Sequence, residues 1–353
     1  MLEYLLETYG DGAVLGAAGG VVGIFFGAMA QHSRFCLRAA AVDVAEGRLG
    51  PRLYIWLIAF GTAVVLVQAM VALDWIDVSQ SRQLAATGSV SGAIIGGLMF
   101  GSGMILARGC ASRLLVLAAT GNLRALITGL VLTLVAQAAL RGILATPREA
   151  LTTLWLVPGG NHRDLLVQFG VSADAAALAS GAALVLAFAL ARKTGVEVSR
   201  AFAAMGVGLA VALGWAFTYM ISQTSFEVVP VASITFTGPS TDTLMGLVNT
   251  TGMPLNFGVG LVPGVFLGAG GMALLSREAK IQRFGRDTPM ERYLIGAVLM
   301  GFGSMLAGGC AVGAGMSGGS IFALTAWVAV FCMWLGAMLT HRIMLSFPRS
   351  VEV

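Results

Sequence analysis

Two stretches set two hundred residues apart decide the fold: IGGLMFGSGMILARGCA at 95–111 and IGAVLMGFGSMLAGGCA at 295–311. Nine of their seventeen positions are identical, including the closing Leu-Ala-x-Gly-Cys-Ala string, Leu106/Leu306 to Ala111/Ala311. A Gly/Ala-rich composition yields scattered matches, but not a whole string of this kind. Each stretch is an apolar helix that ends in a glycine and a thiol, and the chain contains it twice. At the same offset a fainter echo pairs Ser33 of HSRFCLRAA with Ser233 of ASITFTGPS.

The chain around the repeat is as apolar as the repeat. Its 353 residues are 57% hydrophobic and 11% charged, against roughly 25% charged in soluble domains. Leu53–Leu73 is a long, nearly uncharged run of the kind that spans a bilayer. Nine spans are expected: Gly12–Ala30, Leu53–Leu73, Val90–Ala107, Leu123–Ala145, Ala175–Ala191, Ala201–Ile221, Phe257–Ser276, Tyr293–Ala307 and Ile321–Thr340. Between them lie Phe35–Ala45, Arg113–Ala119, Val228–Val248 and Cys310–Ser320, too apolar for simple loops. These read as re-entrant half-helices, because irregular backbone survives at membrane depth only where protein or a wet cavity satisfies its polar groups. The opening MLEYLLETYGDG carries three acidic and no basic residues, so it lacks the basic start of a secretory signal.

Charge placement fixes the orientation. With the amino terminus outside, 17 of the 21 Lys and Arg fall on the inner side, and Arg82, Arg141, Arg148 and Arg163 remain outside. Positive residues are retained on the cytoplasmic side, so the carboxyl terminus lies inside. An odd number of crossings separates the third and eighth helices, so the two copies enter the membrane in opposite directions. The fold class is therefore an all-α polytopic membrane protein of two inverted-topology repeats: a first unit at 1–145, a connecting region at 146–200 with the fifth helix, and a second unit at 201–353. Transporters of this design place the substrate near the midplane, where broken helices of the two halves meet.

Cys36, Cys110 and Cys310 sit at breaks, in SRFCLR, ARGCAS and GGCAVG, whereas Cys332 lies in a continuous apolar helix and reads as packing. A thiol is a soft, weak hydrogen-bond donor, able to meet a sulfur- or selenium-bearing solute without holding it, as conduction requires. Gly109 and Gly309 beside two of the thiols let the backbone turn or approach closely. Arg34 and Arg108, with Arg38 and Arg113, supply positive charge on the inner side. The matching outer segments hold no Lys or Arg, so helix termini would have to supply it there. Gly16, Gly20, Gly23 and Gly27, and Gly92, Gly96, Gly97 and Gly101, have the spacing that brings helices close. Glu227 reads as a loop residue, with a proton-coupling role as the alternative. No Cys/His spacing suggests a metal, His32, His162 and His341 are isolated, and no Walker string or other cofactor motif is present.

RFCLRA, LARGCASRLL, SITFTGP and LAGGCAVGAG together resemble the YeeE/YedE sulfur-transport family over nearly the whole chain. The resemblance implies a bacterial inner-membrane protein with an hourglass-like pathway, in which Cys36, Cys110 and Cys310 line the constriction and relay thiosulfate inward. It also implies a TusA-like sulfur-carrier protein as a cytoplasmic partner. Other reduced sulfur or selenium species are alternative substrates. An intramembrane thiol enzyme passing sulfur to a carrier is the alternative activity, and a structural subunit of a membrane complex is a third.

The charge pattern makes a direct prediction. A reporter at the amino terminus should be outside and one between Ser276 and Arg292 inside; finding both on one side would contradict the inverted arrangement.

Overall fold

The computed structural model describes residues 2–249, 252–283 and 290–346. A short helix α1 (Leu2–Tyr9) leads into α2 (Asp11–Ser33), the half-helix α3 (Leu37–Ala45) and α4 (Pro51–Ala72). The connection that follows holds α5 (Arg82–Ala85) and strand β1 (Gly88–Ser89) before α6 (Val90–Leu106). Half-helix α7 (Ala111–Ala119) and α8 (Leu123–Arg141) complete the first unit. The connecting region carries α9 (Ala145–Thr152), strand β2 (Leu156–Val157), a 3₁₀ turn (Gly160–Arg163), α10 (Leu165–Phe169) and α11 (Ala173–Lys193). The second unit follows as α12 (Val198–Thr224), half-helix α13 (Thr237–Asn249), α14 (Phe257–Leu275), α15 (Met290–Leu306), a π-helical turn (Gly313–Gly318) and α16 (Leu324–Ser346).

The helix starts follow local chemistry. Ser89, Asn122, Ser172 and Asn256 each accept a hydrogen bond from a first-turn backbone N–H of α6, α8, α11 and α14, which satisfies a donor that no helical carbonyl can reach. Pro51 opens α4, where its missing N–H costs nothing.

Eight helical segments are long and apolar enough to cross a membrane, two of them with their half-helices attached. The remaining expected span, Tyr293–Ala307, is α15, a helix of 17 residues. Its repeat mate α6 also has 17, and a helix of this length reaches about 25 Å. The fourth span ends earlier than expected, because the helix breaks at Gly142 and Ala145 starts the separate α9. Of the four expected re-entrant pieces, Phe35–Ala45 and Arg113–Ala119 hold half-helices, Val228–Val248 is irregular as far as Phe236 and helical only from Thr237, and Cys310–Ser320 holds a π-helical turn.

The repeat is visible as a reciprocal contact. A β-carbon on Gly96 would stand 2.5 Å from Ala307 N, and one on Gly296 2.6 Å from Ala107 N. Likewise Gly103 would meet Gly296 O at 2.7 Å, and Gly303 would meet Gly96 O at 2.8 Å. Each contact maps onto its partner when 200 is added to one residue and subtracted from the other, so α6 and α15 cross antiparallel about a local twofold. The flanking helices obey the same exchange: Gly101 of α6 abuts Met333 O of α16, and Gly301 of α15 abuts Leu132 O of α8. A third seam joins α2 and α14, where Gly19, Gly23 and Gly27 face the backbone of Phe257, Leu261 and Val265. Without a hydrophobic drive between helices in lipid, such backbone-to-backbone approach is what holds them together. α11 stands at the periphery against α4, with Leu178 and Val185 largely exposed.

Gly96→Val and Gly296→Val should each lower stability by about 1–3 kcal/mol. Gly129→Ala, where nothing lies within 4 Å of the new methyl, should leave it unchanged or gain up to about 1 kcal/mol. Thermal unfolding in detergent measures both, and equal losses at all three positions would contradict the packing described.

Candidate functional site

Each thiol at a break sits where a full-length helix hands over to a half-helix. Cys36 is the N-cap residue of α3 and Cys110 that of α7, and Cys310 precedes the π-helical turn. The turns before the thiols use a left-handed residue, but it is not the glycine beside the sulfur. Arg108 has φ 56° and Gly308 φ 78°, while Gly109 and Gly309 are absent from the left-handed region. Gly109 N and Gly309 N instead close the ends of α6 and α15 by donating to Met104 O and Ser304 O. A methyl on Gly309 would also crowd Ala314 N, at 3.1 Å.

The three sulfurs fall into two stations. Cys36 and Cys110 lie close enough to act on each other electrostatically, and Cys110 Sγ lies 3.3 Å from Ser112 Oγ. Cys310 Sγ accepts from Gly313 N at 3.4 Å and stands 3.9 Å from Thr235 Oγ1. All three cysteines are buried, with Cys110 and Cys310 each 1% exposed. Phe35, Val312, Ile234, Phe236 and Met316, in the same segments or next to them in the chain, are buried as well. Cys332 is set apart, in the α16 groove against Gly97.

The Cys36 and Cys110 station lies near positive charge. Arg113 and Arg38 lie within electrostatic reach of Cys36, and Arg108 and Arg52 act in turn on Arg38. Buried nitrogens of Arg38 (Nε) and Arg113 (Nη1) have no hydrogen-bond partner among the described residues. Arg34 is placed differently: it is a left-handed C-cap, and its guanidinium donates to Glu278 Oε1 at 2.9 Å, with Gln31 donating to Glu278 Oε2. That exposed ion pair, worth little by itself, ties the end of α2 to the chain after α14.

On the Cys310 side, positive potential does not depend on helix termini alone, because arginines of two short helices and a 3₁₀ turn gather beside the Cys310 turn. A cavity of about 380 Å³ is lined by Arg82, Arg148 and Arg163 together with Gly308, Gly313 and Ala314, and among the described residues no acidic side chain lines it. Arg82 donates to Gly308 O at 3.3 Å, and Arg148 pairs with Glu149. Arg163 is 6% exposed. It donates to Ala86 O and to Thr325 Oγ1, while its buried Nε has no partner among the described residues. Burial and the neighbouring Arg82 lower its proton affinity from the usual guanidinium value. Gly88 leaves room for this side chain, since a β-carbon there would stand 2.6 Å from Arg163 Nε, and the β1–β2 pairing holds this loop in register, Gly88 against Val157. Such a site is built for an anion.

Thr235 and Arg163 escaped the sequence reading, although signals for both existed. Three of the four basic residues retained outside line one cavity, and the Ser33/Ser233 echo marked the segment that carries Thr235. Glu227 is an exposed loop residue whose N–H donates to Ser225 Oγ, in keeping with the loop reading. His341 meets Glu46 at 3.0 Å, and among the described residues no cluster of ligands suits a metal.

Residues 32–339 match the family described as Sulphur transport. The chain is 28% identical over 327 residues to the thiosulfate transporter TsuA of Spirochaeta thermophila, covering 90% of this chain and 95% of that protein. It is 25% identical over 342 residues to the thiosulfate transporter TsuA of Escherichia coli, covering 90% and 92%.

The outer cavity predicts a charge preference. An anionic thiol reagent added outside should modify Cys310 about tenfold faster than a cationic one of equal size at low salt, the difference shrinking as salt screens it. Equal rates would contradict an anion-selective entrance.

Proposed function

The chain belongs to the sulphur transport family, and from that premise we propose that it carries thiosulfate into the cytoplasm through the two thiol stations, with the amino terminus outside. The observation that carries the reading is that each thiol station has arginines beside it: the arginine-lined cavity borders the Cys310 turn, where Thr235 also stands, and Arg113 and Arg38 lie near Cys36, itself near Cys110. Thiosulfate is a dianion with one soft sulfur and three hard oxygens. The cavity arginines concentrate it, and thiols then meet its sulfur end through weak contacts that let it leave again. Desolvating a dianion fully would stop it at the constriction, so each station has to offer donors in place of water. With all three thiols buried, passage requires the re-entrant turns to move. The π-helical turn at Gly313–Gly318, all small residues apart from Met316, is the segment suited to that motion.

Orientation, the bacterial inner membrane as location, the inward direction and the units at 1–145, 146–200 and 201–353 belong to the same proposal. A TusA-like carrier on the cytoplasmic face would draw the flow inward by consuming the product.

One observation favours a second reading. Cys36 and Cys110 are near neighbours, so a nucleophilic thiol in this protein would have a second thiol in its vicinity. An intramembrane enzyme passing sulfur to a carrier would use that pair, and would carry a persulfide or a disulfide during turnover.

Uptake by reconstituted liposomes separates the two. Ser at Cys36, Cys110 or Cys310 should cut thiosulfate uptake at least about tenfold, while Cys332→Ser stays within about twofold, since sulfur contact is removed only along the path. Protein trapped during uptake should show no stoichiometric adduct by mass spectrometry. A persulfide that forms with thiosulfate and leaves with an acceptor would replace transport by sulfur transfer.

A further inference from the structure

The two thiol stations are not copies of each other, and the difference singles out Thr235. At offset 200 the mate of Cys110 is Cys310, but the mate of Ser112 is Val312 and the mate of Cys36 is Phe236. The outer station has thereby lost the hydroxyl of Ser112 and the second thiol. The ring of Phe236 is buried against Phe26, with centroids 5.2 Å apart, and the preceding residue, Thr235, takes the place beside Cys310.

The local structure is organised to hold Thr235 there. The irregular chain before it is fastened group by group: Thr218 Oγ1 donates to Ala232 O and accepts from Ala232 N, Ser233 Oγ donates to Val211 O, and Ser317 Oγ donates to Ile234 O at 2.6 Å. Ser233, Ile234, Phe236 and Thr237 are buried, whereas Thr235 alone in this run is partly open. Gly313, which lines the outer cavity, leaves room for it, since a β-carbon at that position would stand 2.3 Å from Thr235 Oγ1. The hydroxyl lies 3.9 Å from Cys310 Sγ, at the far limit of a sulfur contact, and Cys310 already accepts from Gly313 N. A donor so weakly engaged is available to a passing ligand.

We propose that Thr235 is the oxygen-recognising group of the outer station: its hydroxyl donates to an oxyanion oxygen while the Cys310 thiol meets the sulfur end. The assignment rests on the transport reading above and adds to it a reason for selectivity. Each station pairs a soft donor with a hard one, Cys110 with Ser112 inside and Cys310 with Thr235 outside, which matches a solute that is soft at one end and oxygen-rich at the other.

The test is thiosulfate uptake by liposomes containing the wild type and Thr235→Ser, Thr235→Cys and Thr235→Val, each checked for monodispersity and thermal unfolding. Ranked by hydrogen-bond donor strength the expected order is Thr and Ser together, then Cys, then Val, with Thr235→Val about tenfold below wild type. A packing role gives the opposite order, because Val is nearly isosteric with Thr and Ser is the smaller side chain. Thr235→Val at wild-type rate, or Thr235→Ser as impaired as Thr235→Val, overturns the assignment while transport stands. If Thr235→Val does not fold, Thr235→Ser against Thr235→Cys decides, with Cys at or above Ser counting against it. No uptake by the wild type would instead end the transport reading, and the assignment with it.

Discussion

Where α6 crosses α15, the two helices touch through backbone: Gly96 against Ala307 and Gly303, Gly296 against Ala107 and Gly103. The crossing holds the ends of both helices in fixed relation, and each helix ends in the turn that carries a thiol. Adding one methyl on either side would separate the helices by more than their neighbours can absorb, because Gly101 and Gly301 are pressed in the same way against α16 and α8. The antiparallel sense places Cys110 at one end of the crossing and Cys310 at the other. Two sulfur-bearing turns that share a sequence therefore point inward from opposite sides.

Placing irregular backbone inside a membrane has a physical cost, since each unpaired peptide group in hydrocarbon loses several kcal/mol. The fold meets that cost with side chains. Ser317, Ser233 and Thr218 take up the carbonyls and N–H groups of the chain before α13, and Gln68 donates to Ser320 O beyond the π-helical turn. These hydroxyl and amide groups, with surrounding residues buried, make the re-entrant turns rigid enough to present a sulfur at a fixed place. Arginines accompany both thiol stations, from the short helices and the 3₁₀ turn around the Cys310 cavity and from the half-helices near Cys36.

Much of this was legible in the sequence because it depends on pattern. The nine helical runs, the four re-entrant pieces and the repeat all follow from hydropathy and from self-comparison, and Cys332 follows from lying in an uninterrupted apolar helix. What could not be read depends on contacts across elements. Arg163 looks like a stray loop charge until β1 and β2 pair and Gly88 admits its side chain. Arg34 looks like a pathway charge until Glu278 takes it. Gly109 and Gly309 looked like the residues that turn the chain, yet the left-handed position is one earlier, at Arg108 and Gly308. The proximity of Cys36 and Cys110 likewise belongs to no spacing rule, since they lie in two different turns.

The central claim is that a sulfur oxyanion is met by thiols from both repeats on a single path. Anomalous scattering from selenosulfate, a thiosulfate analogue with selenium at the soft end, tests it most directly in crystals of the whole protein. The account predicts selenium density in contact with Cys310 Sγ or with the Cys36–Cys110 pair, lost when those residues are Ser and unaffected by Cys332→Ser. Selenium bound elsewhere, with all three sulfurs left untouched, would contradict it.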